Sequence, residues 1–95
     1  MHTERIPRGQ IPRALPTAHA CLGRAVRDLR ARCGLSQRQL APRCGVHPSY
    51  VQAIERGRVD PTFHMLLRLG RGMGVEMPAL MERYQRHMER YPEEP

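Results

Sequence analysis

Residues 35–57, LSQRQLAPRCGVHPSYVQAIERG, restrict the chain to one local arrangement, two short helices joined by a tight turn at Gly45. Ser36 carries the short acceptor side chain that an N-cap needs. Gln39, three residues on, can reach back to complete a capping box, so a helix is expected to start here. Leu40, Ala41 and Cys44 give that helix one apolar side. Gly45 falls where the chain must leave the helix in a left-handed conformation, which a residue without a Cβ adopts at almost no cost. His47 then suits a second cap and Pro48 the first helical position, where its missing N–H would have had no partner; Gly57 closes the run.

Spacing the second helix at about 100° per residue gathers Val51, Ile54 and Glu55 on one side and Ser49, Gln52, Ala53 and Arg56 on the other. One face is aliphatic with a single carboxylate, and the opposite face is small, hydrogen-bonding and cationic. Such a division fits a helix that packs on a domain and enters a major groove. Taken alone it fits equally well an ordinary amphipathic helix with a solvated face.

LGRAVRDLRARCGLSQRQLA, GVHPSYVQAIERG and DPTFHMLLRLGRGMGV follow one another with a characteristic spacing. Through them, Leu22 to Tyr84 resembles the phage-repressor and Cro-like (xenobiotic-response-element type) helix-turn-helix family of bacterial transcriptional regulators. SQxxLA, then a glycine, then IERG is the specific part of this match, which covers roughly two thirds of the chain. The resemblance implies an all-α fold, a compact lambda-repressor-like bundle of about five helices with the helix-turn-helix at helices 2 and 3. It implies a sequence-specific regulator of transcription, expected to be a repressor, that inserts helix 3 (about 48–56) into the major groove of double-stranded operator DNA, usually as a dimer.

Site residues follow from the same alignment. Gln37 matches a glutamine that typically meets a phosphate, and Ser49, Tyr50, Gln52 and Ala53 stand where the family varies its base-reading side chains. Arg56 and Arg58 match positions along the DNA backbone, and Arg38 and Pro48 complete the expected DNA-facing set. Arg30 and Glu55 match a pair that in many members forms a salt bridge between the first and third helices, which assigns Glu55 to structure. Pro42 departs from the pattern. Inside the first motif helix it removes one hydrogen bond and crowds the carbonyl of Arg38, at a nominal cost of about 3 kcal/mol, so a kink or an early end is expected there.

The 95 residues allow one domain, and 40% apolar composition with one Phe and no Trp implies a modest core. Sixteen basic residues, all Arg, against nine acidic leave a formal charge of +7, which points to a polyanionic partner. Arginine suits bidentate phosphate and guanine contacts, although a coding bias toward arginine explains its exclusive use equally well. No run of 18 or more apolar residues and no signal-peptide core is present, so no membrane association and a cytoplasmic, nucleoid-associated bacterial protein are expected. Cys21, Cys33 and Cys44 fit neither a disulfide framework nor the close pairs of a zinc site, and are expected to be small buried hydrophobes.

Residues 1–18, with Pro7, Pro12 and Pro16 among Arg5, Arg8 and Arg13, are expected to form a disordered basic arm, either entering the minor groove or making no contact. The DNA-binding domain is expected over 19–84, and 85–95 would be the end of the last helix and a short tail. Helix 1 should run from about Ala20 to Cys33, with Leu22, Val26, Leu29 and Cys33 facing inward. Helix 4 should begin near Thr62 and bury Phe63, Leu66, Leu69 and Met73. Gly70 and Gly72 would each weaken it by about 1 kcal/mol, Gly70 in return serving close helix packing. Helix 5 should begin around Met77 and Pro78 and stop before Pro92. Its stripe of Met77, Leu80, Met81, Tyr84, Met88 and Tyr91 exceeds what a compact bundle covers, so a homodimer through helix 5 is expected, with Arg83, Arg86 and Arg90 on its soluble face.

No HExxH, phosphate loop, nucleophile elbow or carboxylate pair occurs, and the five His residues are scattered; neither catalytic nor metal-ligating residues, nor a cofactor, are expected. A second hypothesis keeps the fold but changes the partner: a protein-interaction adaptor, such as an antitoxin or a sigma-factor-binding protein. RNA binding is disfavoured because the aromatic stacking surface used for single strands is lacking.

Overall fold

The computed structural model describes residues 15–91, and over that span five helices and no strand are found. They are α1 (Leu15–Arg32), α2 (Gln37–Cys44), α3 (Pro48–Glu55), α4 (Phe63–Met73) and α5 (Met77–Arg90). The all-α bundle expected from the sequence is therefore present. α1 lies against both α3 and α5, and α2 against both α3 and α4. The core is built from Ala25, Val26, Leu29, Leu40, Ala41, Cys44, Val51, Ile54, Leu69, Met73 and Leu80.

The two motif helices form for the local reasons given above. Ser36 Oγ accepts from the Gln39 N–H at 3.0 Å while Gln39 Oε1 accepts from the Ser36 N–H at 2.8 Å, a complete capping box. Gly45 leaves α2 at φ 73°. His47 Nδ1 accepts from the Ser49 N–H at 3.1 Å, and Pro48 opens α3. α2 does not end early at Pro42 but continues to Cys44. The ring is on the exposed side, and Gly45 and Val46 N–H groups close the last turn onto Pro42 and Ala41 carbonyls at 3.2 and 3.0 Å.

Several expectations require correction. α1 begins at Leu15 rather than near Ala20, because Pro16 falls in the first turn, where N–H groups have no intrahelical acceptor. The proposed arm thus keeps only residues 1–14, which lie outside the described residues. Its helical extension is held in place where His19 Nε2 meets Asp60 Oδ1 at 3.6 Å. Phe63 is 66% exposed, not buried. It sits about 90° around α4 from the centre of the inward-facing Leu66, Leu69 and Met73, at the first residue of the helix. Cys33 is exposed, unlike buried Cys21 and Cys44. α1 has already ended at Arg32, and the Cys33 thiol donates instead to the Met73 carbonyl at 3.1 Å.

Among the α4 glycines, Gly72 is the one that admits a neighbouring helix. A Cβ there would stand 2.8 Å from Cys44 Sγ and 3.1 Å from Leu40 Cδ1 on α2, whereas one on Gly70 would meet only the Val75 carbonyl of the following turn, at 2.6 Å. On α5, Arg83 is not on a soluble face. Its Nε is buried 3.2 Å from Asp28 Oδ2 of α1, without the alignment of a hydrogen bond, and His87 Nε2 meets the same oxygen at 2.7 Å.

Candidate nucleic-acid interface

α3 is fixed from behind by two buried aliphatic side chains, Val51 and Ile54, and by one ion pair. Glu55 Oε2 accepts from Arg30 Nε at 2.5 Å and Oε1 from Arg30 Nη2 at 3.0 Å, a bidentate pairing between α3 and α1. The two side chains are 4% and 15% exposed respectively. Arg30 Nη1 also donates to the Leu35 carbonyl at 2.8 Å, which ties the α1–α2 link into the same network. Hydrogen bonding to Glu55 holds the Arg30 guanidinium above its ordinary pKa, against the opposing effect of its burial.

Gln37, at the start of α2, joins this network: its Nε2 donates to Glu55 Oε1 at 2.9 Å. An amide nitrogen carries two hydrogens, so one remains free. Glu55 therefore accepts from both α1 and α2 while itself belonging to α3.

The outward face of α3 carries Ser49, Gln52 and Arg56, all exposed, with Ala53 half-buried between them. Tyr50 and Pro48 are half-buried, and Tyr50 packs partly on the core. Ser49 Oγ lies 2.9 Å from His47 Nδ1, within the cap. Arg38 on α2, and Arg56 and Arg58 after α3, are exposed. The structure thus brings Gln37, Gln52 and Arg56 to one rim, together with Arg30 and Glu55, around a recess of about 260 Å³. Arg27 of α1 also lines it, a residue the sequence reading did not single out. The signal available was its position three residues before Arg30 on α1.

Gly23 and Gly57 set how closely α1 approaches α3 and the turn that follows it. A Cβ on Gly23 would come within 2.5 Å of the Ile54 and Glu55 carbonyl oxygens, and one on Gly57 within 2.9 Å of Ala20 Cα. Gly57 also holds φ 70°. Neither contact carries a signal in the one-dimensional pattern.

Among the described residues no group of three or more His, Cys, Asp or Glu is placed to hold a metal ion, and no helix is long and apolar enough to cross a membrane.

The sequence model described as a helix-turn-helix domain matches residues 22–83. No curated protein matches the chain. The fold is similar to that of the clp gene regulator ClgR from Corynebacterium glutamicum, with a TM-score of 0.73 and 28% identity over 75% of this chain and 91% of that one. It is also similar to the restriction-modification controller protein C.AhdI from Aeromonas hydrophila, with a TM-score of 0.65 and 33% identity over 67% of this chain and 97% of that one. The controller protein C.Esp1396I shares the fold at 19% identity, with a TM-score of 0.71 over 76% of this chain and 95% of that one. Capped motif helices, the left-handed Gly45 turn and the matched span of residues 22–83 together place the chain in the helix-turn-helix domain family of DNA-binding transcription regulators.

Proposed function

We propose that the chain represses transcription by seating α3 in the major groove of a double-stranded operator. The observation that carries this reading is the outward face of α3. Ser49, Gln52 and Arg56 are exposed there, and the helix's one carboxylate, Glu55, is turned inward and neutralised by Arg30. A surface meant for a polyanion must hide its acids, and this helix does so with a bidentate ion pair. In this reading Ser49, Gln52 and Ala53 meet base edges, with Pro48 and the free edge of Tyr50 beside them. Gln37, Arg38, Arg56 and Arg58 meet phosphates. ClgR is a gene regulator and C.AhdI a restriction-modification controller; regulation is the role we carry over from them. Such a protein works on the nucleoid of a bacterial cytoplasm.

We extend the proposal to a homodimer through α5. Its support is that Met77, Met81, Tyr84, Met88 and Tyr91 are only half-buried on the bundle, so part of the apolar stripe stays open to solvent. The longer α1 covers some of it, and the remainder is the contact surface. A second reading, the protein-interaction adaptor, is favoured by Phe63 and Leu67, which stand 66% and 39% exposed on α4. Selection of bound duplexes from a random pool separates the two readings. The operator reading expects a palindromic consensus with half-sites about one turn apart, whereas an adaptor would enrich no sequence.

A further inference from the structure

Three guanidiniums and one carboxylate line the recess between α1, α2 and α3, leaving it formally cationic by two charges. Its members are Arg27, Arg30, Gln37, Gln52, Glu55 and Arg56. These charges are not equivalent. Each nitrogen of the Arg30 guanidinium is engaged, Nε and Nη2 on Glu55 and Nη1 on the Leu35 carbonyl. Both oxygens of Glu55 accept, Oε2 from Arg30 and Oε1 from Arg30 and Gln37. The guanidinium groups of Arg27 and Arg56 are exposed and engage no partner among the described residues. The recess therefore combines one neutralised pair, Arg30 with Glu55, and two uncommitted cations, one from α1 and one from the end of α3.

We propose that this recess seats one backbone phosphate of the bound duplex, with Arg27 as a phosphate-contacting residue alongside Arg56; this rests on the DNA-binding reading above. Each guanidinium can present two parallel N–H donors to a pair of phosphate oxygens. Gln37 lines the same recess, and the second hydrogen of its Nε2 is left available by the bond to Glu55. Glu55 is then more than an anchor for α3, because it also holds Gln37. The recess is not an enclosed cavity, which suits a phosphate that continues as a diester rather than a small enclosed ion. Gln52 shares its rim. A phosphate held here fixes the distance from the backbone to the base edge that Gln52 reaches, so Arg27 contributes to register without touching a base.

The test uses the full chain and the duplex it selects from a random pool. Affinity is measured between about 50 and 200 mM salt for the wild type, Arg27→Ala, Arg27→Lys and Arg56→Ala. Duplexes carrying one uncharged methylphosphonate at each backbone position are titrated in parallel. We expect Arg27→Ala to weaken binding about tenfold and to lower the salt slope by about one, with the consensus and melting temperature unchanged. One methylphosphonate position should cost the wild type at least about tenfold, and its effect should be clearly smaller in Arg27→Ala and in Arg56→Ala, each of which keeps one of the two guanidiniums. Arg27→Lys should recover part of the loss, since it restores the charge but not the fork. A wild-type salt slope in Arg27→Ala, or an undiminished methylphosphonate effect in it, overturns the seat while leaving DNA binding intact. Saturation of the Arg27 and Arg56 Nε–H resonances by millimolar inorganic phosphate, with a wild-type slope in Arg27→Ala, assigns the recess to a free anion and overturns it as well. A wild type that enriches no duplex removes the DNA reading, and the seat with it.

Discussion

Gly23 of α1 and Glu55 of α3 meet backbone to backbone: a Cβ on the glycine would stand 2.5 Å from the Glu55 carbonyl oxygen and 2.8 Å from its carbonyl carbon. The same glycine faces the Ile54 carbonyl oxygen, also at 2.5 Å. The helix proposed to enter DNA is thus held against α1 at a point where no side chain can be accommodated and no flexible group can yield.

Gly23→Ala is therefore expected to destabilise the fold by about 1 to 3 kcal/mol, the usual range for overpacking a filled site. Alanine's better helix propensity offsets about 1 kcal/mol of the clash. In a domain of this size each kcal/mol corresponds to roughly 4–8 °C in melting temperature. A thermal melt that matches wild type would show that α3 can back away from α1.

Arg30 and Glu55 give a second prediction. Removing one member of a largely buried, hydrogen-bonded pair strands the other, which typically costs about 3 to 5 kcal/mol. Glu55→Ala should fall at the lower end, because Arg30 keeps its bond to the Leu35 carbonyl. Urea denaturation measures the loss. Near-wild-type stability combined with lost DNA binding would mean that Glu55 acts at the surface instead.

How much of this was legible in the sequence depends on the range of the interaction. The motif itself was, because Ser36, Gln39, Gly45, His47 and Pro48 act within a few residues of one another. The inward and outward faces of α3 followed from periodicity alone. Gly23 and Gly72 were not legible, since each is explained by a neighbouring helix that arrives from far along the chain. Phe63 misled because a periodic stripe says which residues could be buried, not how far the neighbouring helix extends to cover them. Arg83 misled for the converse reason: Asp28, 55 positions away, draws it against α1.

DNA recognition should divide by residue class. Arg56→Ala or Arg58→Ala is expected to weaken binding to every sequence and to lower the salt slope by about one. Changes at Ser49 or Gln52 should alter which base is preferred, by about 1 to 3 kcal/mol per good contact. Repeating the duplex selection with each variant checks this. An altered consensus for Arg56→Ala and an unaltered one for Gln52→Ala would reverse the assignment of the two faces.

The thiols should differ in reactivity. Burial pushes the Cys44 thiol up, and Arg68 offsets only part of that, so it stays neutral and protected near neutral pH. Its folded pKa lies above the unfolded one. The corresponding stability is complete below about pH 8.5 and is lost only as pH rises through the folded value. Cys21 is buried as well, whereas Cys33 is exposed. Alkylation of the native protein at neutral pH is expected to label Cys33 quickly and the other two only in denaturant, as mass spectrometry of the digested protein would resolve.

The proposed dimer can be tested on α5. Leu80 is buried, while Met81, Tyr84, Met88 and Tyr91 keep part of their surface open. The end of the helix is steadied from within the monomer by Arg24, whose guanidinium lies 5.8 Å from the Tyr91 ring centroid. Met88→Arg combined with Tyr91→Arg places two charges on the remaining stripe, and a thermal melt on the same variant measures what the lost Arg24 contact costs the bundle. Two-fold pairing through this surface would bring the two copies of α3 about 34 Å apart, one turn of DNA, so operator binding by the wild type should be cooperative across half-sites. The double variant should sediment as a folded monomer and lose that cooperativity while keeping its affinity for a single half-site. A wild type that remains monomeric at about 10 to 100 μM, a range in which a weak dimer of about −6 kcal/mol would be populated, removes α5 from the interface. So does a folded double variant with undiminished cooperativity, and the exposed Phe63 and Leu67 of α4 would then be the next surface to charge.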